Sequence, residues 1–156
     1  MNEQVQNLKS YADRMKAVNA KLKLLILLER AKSEYDENHF ENCKETCLKA
    51  LEVEPNNPVA LRGIGCVNQF CGNYEEAVKY YQKALDNSKN KEIEYTLLGT
   101  VYYALDDYDK AIEYYNKAIE INDNYDSAYE GRNQSMLENH LKVIDLQDSL
   151  IKQKIF

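Results

Sequence analysis

The chain has 156 residues and a formal charge of −6, with 44% apolar and 29% charged residues. That balance is globular, so disorder is not the default, and the length suits one domain able to bury its own core. The acidic surplus argues against nucleic acid as the main partner, because phosphate binding requires a basic face.

Five glycines and two prolines are too few turn residues for a sheet protein, so long helices with short connections are expected. Residues 1–4 are polar and lack the charged-then-apolar layout of an export signal. The apolar run Leu24 to Leu28 is too short to cross a bilayer. A cytoplasmic protein with no membrane span is therefore expected, with its four cysteines reduced.

In chain order, residues 1–23 contain no Gly or Pro and place Val5, Leu8, Ala12, Met15, Asn19 and Leu22 at alternating three- and four-residue steps. This spacing predicts an amphipathic helix with a heptad-like seam. Two roles fit it: a helix that caps the first repeat, or a dimerisation helix in which Asn19 fixes register. No break separates it from Leu24.

From residue 24 the sequence repeats itself, and a shift of 34 residues superposes Gly65 on Gly99, Tyr74 on Tyr108, Ala77 on Ala111, Tyr81 on Tyr115 and Ala84 on Ala118. A more diverged copy upstream puts Ala31, Phe40, Cys43, Cys47 and Ala50 in the same places. The copies run 24–57, 58–91 and 92–125, and each reads as two helices. In the second copy, Asn57 caps the first helix and Pro58 takes its first position. Gly72-Asn73 ends that helix, and Asn73-Tyr74-Glu75-Glu76 has capping-box spacing for the next. Gly65, Gly99, Ala77 and Ala111 let helix backbones approach, while Tyr74, Tyr81, Tyr108 and Tyr115 fill wider gaps.

This pattern resembles the tetratricopeptide repeat. That signature has a small residue at the eighth position, aromatics at the seventeenth and twenty-fourth, Ala at the twentieth and twenty-seventh, and Pro at the thirty-second. The second and third copies match all but the last, where Lys89 and Asp123 stand. The first copy supplies Pro55 but has Cys43 and Cys47 where Ala and an aromatic are usual. The resemblance implies an all-α fold, a right-handed α-solenoid of three helical hairpins. The N-terminal helix (1–23) precedes it, and a C-terminal capping helix and tail (126–156) follow. Ala128, Tyr129 and Gly131 repeat the first-helix spacing, as a cap over the last apolar face requires. Leu137, Leu141, Ile144 and Ile151 then extend an apolar stripe towards Phe156.

A convergent catalytic constellation is missing from the sequence, so no enzyme and no cofactor are expected. His39 falls in a turn and His140 past the cap, both as surface residues. Gly63, Gly65 and Gly72 form no phosphate loop, because Asn68 holds the third glycine's place and no strand precedes them. Cys43 and Cys47 lie one helical turn apart, a spacing compatible with metal. They occupy core places of the repeat, however, so buried thiols and no metal are expected. Cys66 is expected to face the groove.

In this family the first helices of successive repeats line a concave groove for a peptide or helix. Carried over by place, the groove comprises Leu25, Leu28, Lys32, Tyr35 and Asp36, then Val59, Arg62, Cys66, Gln69 and Phe70. Ile93, Thr96, Thr100, Tyr103 and Ala104 follow, and the cap adds Ser127, Glu130, Gln134 and Leu137. Co-chaperones of the family grip a carboxylate tail with Lys, Asn and Arg. The corresponding places here hold Leu28, Lys32, Gly63, Ile93 and Leu97, which makes no such clamp. The resemblance thus implies a non-enzymatic scaffold or adaptor binding an apolar or aromatic protein segment. Its plan is also similar to the small chaperones of type III secretion, which hold an apolar client segment. A third alternative is a structural module that forms a homodimer through its terminal helices.

Overall fold

The computed structural model describes residues 2–155, and Phe156 lies outside them, as does the side chain of Val5. Seven helices and no strands occur among the described residues. They are α1 (Asn2–Asp36), α2 (Phe40–Val53), α3 (Pro58–Phe70), α4 (Tyr74–Asn87), α5 (Lys91–Ala104), α6 (Tyr108–Ile121) and α7 (Asp126–Ile155). No described helix is long and apolar enough to cross a membrane.

The turn inside each hairpin has one chemistry, repeated three times. Asn38, Gly72 and Asp106 adopt positive φ of 62°, 78° and 58°, the left-handed conformation that Gly adopts freely and Asn and Asp tolerate. Beyond each, a backbone N–H reaches back five residues: His39 to Glu34 O, Asn73 to Asn68 O, and Asp107 to Tyr102 O, at 2.7, 2.8 and 3.0 Å. The paired bonds Asn38 to Tyr35 O, Gly72 to Gln69 O and Asp106 to Tyr103 O complete three Schellman closures. The capping box expected at Asn73 does not form: Asn73 is the N-cap by position but makes no side-chain cap bond. The closure behind it already sets the direction of α4. Asn57 does cap α3, its side chain accepting from the N–H groups of Val59 and Ala60 with Pro58 at the first position.

Helices pair as α1 with α2, α3 with α4 and α5 with α6, and α7 packs on α6 and α5. The first helices also touch across repeats, α1 with α3 and α5 with α7, which places them on the inside of the solenoid's curve. Ala50, Ala60, Ala77, Ala84, Ala111, Ala118 and Ala128 are fully buried at the helix contacts. Into this close-packed frame the tyrosines insert. Tyr81 lies against Gly65, where a Cβ would fall 2.5 Å from its ring. Tyr115 lies between Gly99 and Gly131. The glycines therefore make room for rings more than for backbones.

The ends differ from a simple cap-and-repeat plan. No boundary separates residue 23 from residue 24, since α1 runs through it as one helix. Residues 6–23 are exposed throughout, so this segment projects beyond the first repeat without folding onto it. α7 uses only its first half as a cap, burying Ala128 and Ser135, and continues as an exposed helix past residue 140.

Gly99→Val should destabilise the protein by about 1–3 kcal/mol through overpacking, because its Cβ would meet Tyr115 at 2.8 Å. Ala118→Glu should be more damaging, since an unpaired carboxylate would enter a dry helix contact. Thermal melts followed by circular dichroism check both, and a wild-type melt for Ala118→Glu would refute the packing described.

Candidate peptide-binding groove

The inner helices α1 and α3 diverge enough to leave a cavity of about 410 Å³ between them, floored by α2. Lys32, Tyr35, Val59, Arg62 and Cys66, all groove candidates by sequence, line it together with Leu25 and Leu28. Its deeper lining is Ala31, Cys43 and Cys47, which stand at core places of the repeat, and Gly63, which stands at a clamp place. A smaller hollow of about 270 Å³ adjoins it through Tyr35 and Cys66, and adds Gln69, Phe70, Tyr74, Leu97 and Ala104. The two hollows share Tyr35 and Cys66 and follow the inner faces of α1, α3 and α5.

The remaining candidates border neither hollow. Thr96 and Thr100 donate their hydroxyls to the carbonyls of Glu92 and Thr96 in their own helix, and Thr100 also accepts from the Tyr115 hydroxyl at 3.2 Å. Ile93 is half-buried on α5. Tyr103 packs on the Tyr108 ring with centroids 5.5 Å apart. Gln134 lies exposed on α7, donating to Glu138. Phe70 is 62% exposed but is not free, since its ring lies 4.0 Å centroid to centroid from Phe40. His39 and His140 are both exposed.

Residues 63–91 and 93–125 each match the family described as Tetratricopeptide repeat. This is a tetratricopeptide repeat protein. The first repeat, with its two cysteines at signature places, lies outside both matched segments. No curated protein matches the chain. Among solved structures, the chain resembles an O-GlcNAc transferase variant from Thermobaculum terrenum, with a TM-score of 0.71 and 22% identity over 75% of this chain. It spans only 22% of that transferase. It also resembles the Sgt2 TPR domain from Aspergillus fumigatus (TM-score 0.69, 20% identity, 75% of this chain and 79% of that one). A third likeness is to the first TPR of Spaghetti (RPAP3) bound to an HSP90 peptide (TM-score 0.68, 17% identity, 74% and 91%). At these identities the likeness is one of fold. Tetratricopeptide repeats are protein-interaction modules, and the chain has that architecture.

Electrostatics divide the repeat groove sharply. Arg62 does not stand free at the rim: its Nε lies 3.3 Å from Oε1 of Glu94, whose side chain is fully buried. The pair joins α3 to α5 as an ion contact without an aligned hydrogen bond, leaving both Glu94 oxygens otherwise unpartnered in protein. Glu34 is similarly buried and accepts from Arg30 at 2.8 Å. Lys32 is therefore the open cation at the mouth of the cavity.

Cys43 and Cys47 are each 1% exposed, as expected of core thiols. Burial, the largest influence, pushes Cys47 up to about 12 and raises Cys43. Cys66 also rises through burial, and its sulfur lies 3.3 Å from the Tyr81 hydroxyl oxygen. The freely exposed thiol is Cys71. Native alkylation with iodoacetamide at neutral pH should label Cys71 first, Cys66 slowly, and Cys43 and Cys47 only on unfolding. Rapid labelling of Cys47 would contradict the burial described.

Arg62→Ala leaves the buried Glu94 carboxyl without its partner, and should cost roughly 3 kcal/mol, the low end for a broken buried pair because the arginine is partly solvated. Replacing both partners, Arg62→Met with Glu94→Leu, should recover most of that loss. Urea unfolding of the single and double variants is the measurement.

Proposed function

We propose that the protein is a scaffold or adaptor whose inner track over the first two repeats receives an apolar or aromatic segment of another protein. The observation that carries this reading is the continuous hollow between α1 and α3. Its exposed rim residues include Leu25 and Val59, 56% and 46% exposed. Apolar side chains gathered on one concave surface are unfavourable in water and mark a contact site. The single open cation at the mouth, Lys32, is too little positive charge to grip a carboxylate tail and supports an apolar ligand.

The test is affinity capture of partners with the full chain, followed by titration of the captured partner against variants. Val59→Glu and Leu25→Glu together should weaken binding thirtyfold or more, corresponding to about 2 kcal/mol. Glu75→Ala and Lys79→Ala on the outer helix α4 should leave it unchanged. Loss of binding in the outer-face variants, with the inner-face variants unaffected, would move the working surface to the other side.

Self-association through α1 is a second reading, favoured by the arm it projects. Leu8, Tyr11, Met15, Val18, Leu22 and Leu25 are all 42% or more exposed, and their alternating three- and four-residue steps make an a/d seam. This seam is apolar throughout, and Asn19 flanks it, so the register differs from the one expected around Asn19. Arg14 and Lys21 fall on one flank at heptad spacing. A parallel pair sets them opposite Asn19 and Ile26, whereas an antiparallel pair sets cation against cation. Sedimentation at high micromolar concentration should give twice the 18.2 kDa chain mass, and Val18→Lys with Leu22→Lys should give a folded monomer. A monomeric wild type removes this reading and leaves the groove reading standing.

A further inference from the structure

The second and third repeats each hold a tyrosine ring between two inner helices, and the first repeat holds none. Tyr81 rises from α4 against Gly65, and its hydroxyl donates to Gln69 Oε1 at 2.8 Å. Tyr115 rises from α6 between Gly99 and Gly131, and its hydroxyl donates to Thr100. One repeat earlier the same place is Cys47, a much smaller side chain. The helix surfaces that would flank a ring there remain small: Ala31 is at the place of Gly65 and Gly99, and Gly63 at the place of Gly131. A Cβ at Gly63 would fall 2.6 Å from the Cys47 sulfur, so even the thiol sits in the gap that a ring fills elsewhere. Over that thiol, itself 1% exposed, the 410 Å³ cavity opens on the inner face between α1 and α3.

We infer that this cavity is a vacant ring slot that receives an aromatic side chain, tyrosine or phenylalanine, from the bound partner segment. The inference rests on the groove reading above and specifies its chemistry. The molecule itself supplies the precedent, because the two equivalent slots are filled by phenol rings lying on glycine. A flat ring fits between closely spaced helices with small residues on both walls, where a branched aliphatic chain would meet those walls edge-on. The place that bonds the ring hydroxyl in the third repeat, Thr100, is Lys32 in the first. The place of Gln69 is Tyr35. Both line the slot, so a tyrosine hydroxyl would find an ammonium donor or a phenol, and a phenylalanine would still bury its ring. The volume lies within the range of pockets that hold small ligands, about 300–1,000 Å³.

The direct probe is p-cresol, the tyrosine side-chain analogue, titrated into the full-length protein and followed by amide NMR. Saturable shifts centred on Ala31, Gly63 and Cys66 are expected, with Kd on the order of millimolar. In Cys47→Tyr the protein supplies its own ring, so those shifts should weaken at least tenfold while melting stays at or above the wild-type temperature. If that variant fails to fold, Cys47→Leu half-fills the slot and should weaken the shifts severalfold. Absence of saturation in the wild type, or unchanged p-cresol shifts in a folded slot-filled variant, overturns the proposal. A random-peptide phage library panned on the same protein separates it from the groove reading. Peptides that depend on Val59 and Leu25 and share an aromatic blocked by Cys47→Tyr support both. Peptides with the same dependence but no shared aromatic overturn the slot and keep the groove. If panning returns no groove-dependent peptide, the groove reading fails, and the p-cresol titration decides the slot.

Discussion

The seating of tyrosine rings on glycine between neighbouring inner helices sets the geometry on which the rest of this structure depends. Tyr81 is fully buried and Tyr115 is 3% exposed, yet each reaches from an outer helix through to the inner surface. A ring placed there wedges adjacent inner helices apart by its thickness, while the missing Cβ of glycine limits that separation. The alanines at the base of each hairpin hold the outer helices close, so the inner face remains an ordered row of shallow clefts. Where the ring is replaced by Cys47, the helices still follow the repeat, because both neighbouring hairpins impose it. Over that smaller side chain a cavity opens on the inner face between α1 and α3.

Buried charge adds a second, more specific tie between the same helices. Glu94 sits on α5 with no exposed surface and faces Arg62 on α3. A charge without water is costly, and an ion pair of this kind does little for net stability compared with apolar packing. Its effect is on arrangement: α3 and α5 must present these two groups to one another, which restricts sliding of the second repeat on the third. Arg62 is thereby committed to the fold, and the mouth of the cavity is left with Lys32.

The terminal helices follow a different logic from the repeats. Interior hairpins are covered on both sides, whereas α1 and α7 each pack on one side only, against α2 and α3 or α6 and α5, and then run on past them. Their projecting halves carry rows of exposed leucine, isoleucine and valine, a surface that water does not favour. On α1 that row has heptad spacing, a pattern suited to a second helix. On α7 the exposed residues Leu137, Leu141, Ile144 and Ile151 continue the stripe expected from the sequence, with Val143, Leu146 and Leu150 exposed beside it.

By itself, the sequence determined the helical class, the 34-residue period, the division of each copy into two helices, and the burial of Ala84, Ala118, Cys43 and Cys47. These are legible because a solenoid builds its core from contacts between near neighbours in sequence, so each residue's place in the period states its surroundings. The left-handed turn residues Asn38, Gly72 and Asp106 were equally periodic, but they differ in type, and the shared conformation shows only in the backbone. Other features depended on distances between repeats. The partnership of Arg62 with Glu94 joins residues 32 apart in sequence, so local spacing put Arg62 in the groove with nothing to mark its acid. The cavity was visible only as an irregularity, a cysteine at an aromatic place. Whether the chain collapses around so small a side chain or keeps its spacing is decided by the packing of the neighbouring hairpins. The course of α1 was decided in the same way, because amphipathic spacing specifies an apolar face, while only the assembled solenoid shows whether anything in the chain is there to cover it.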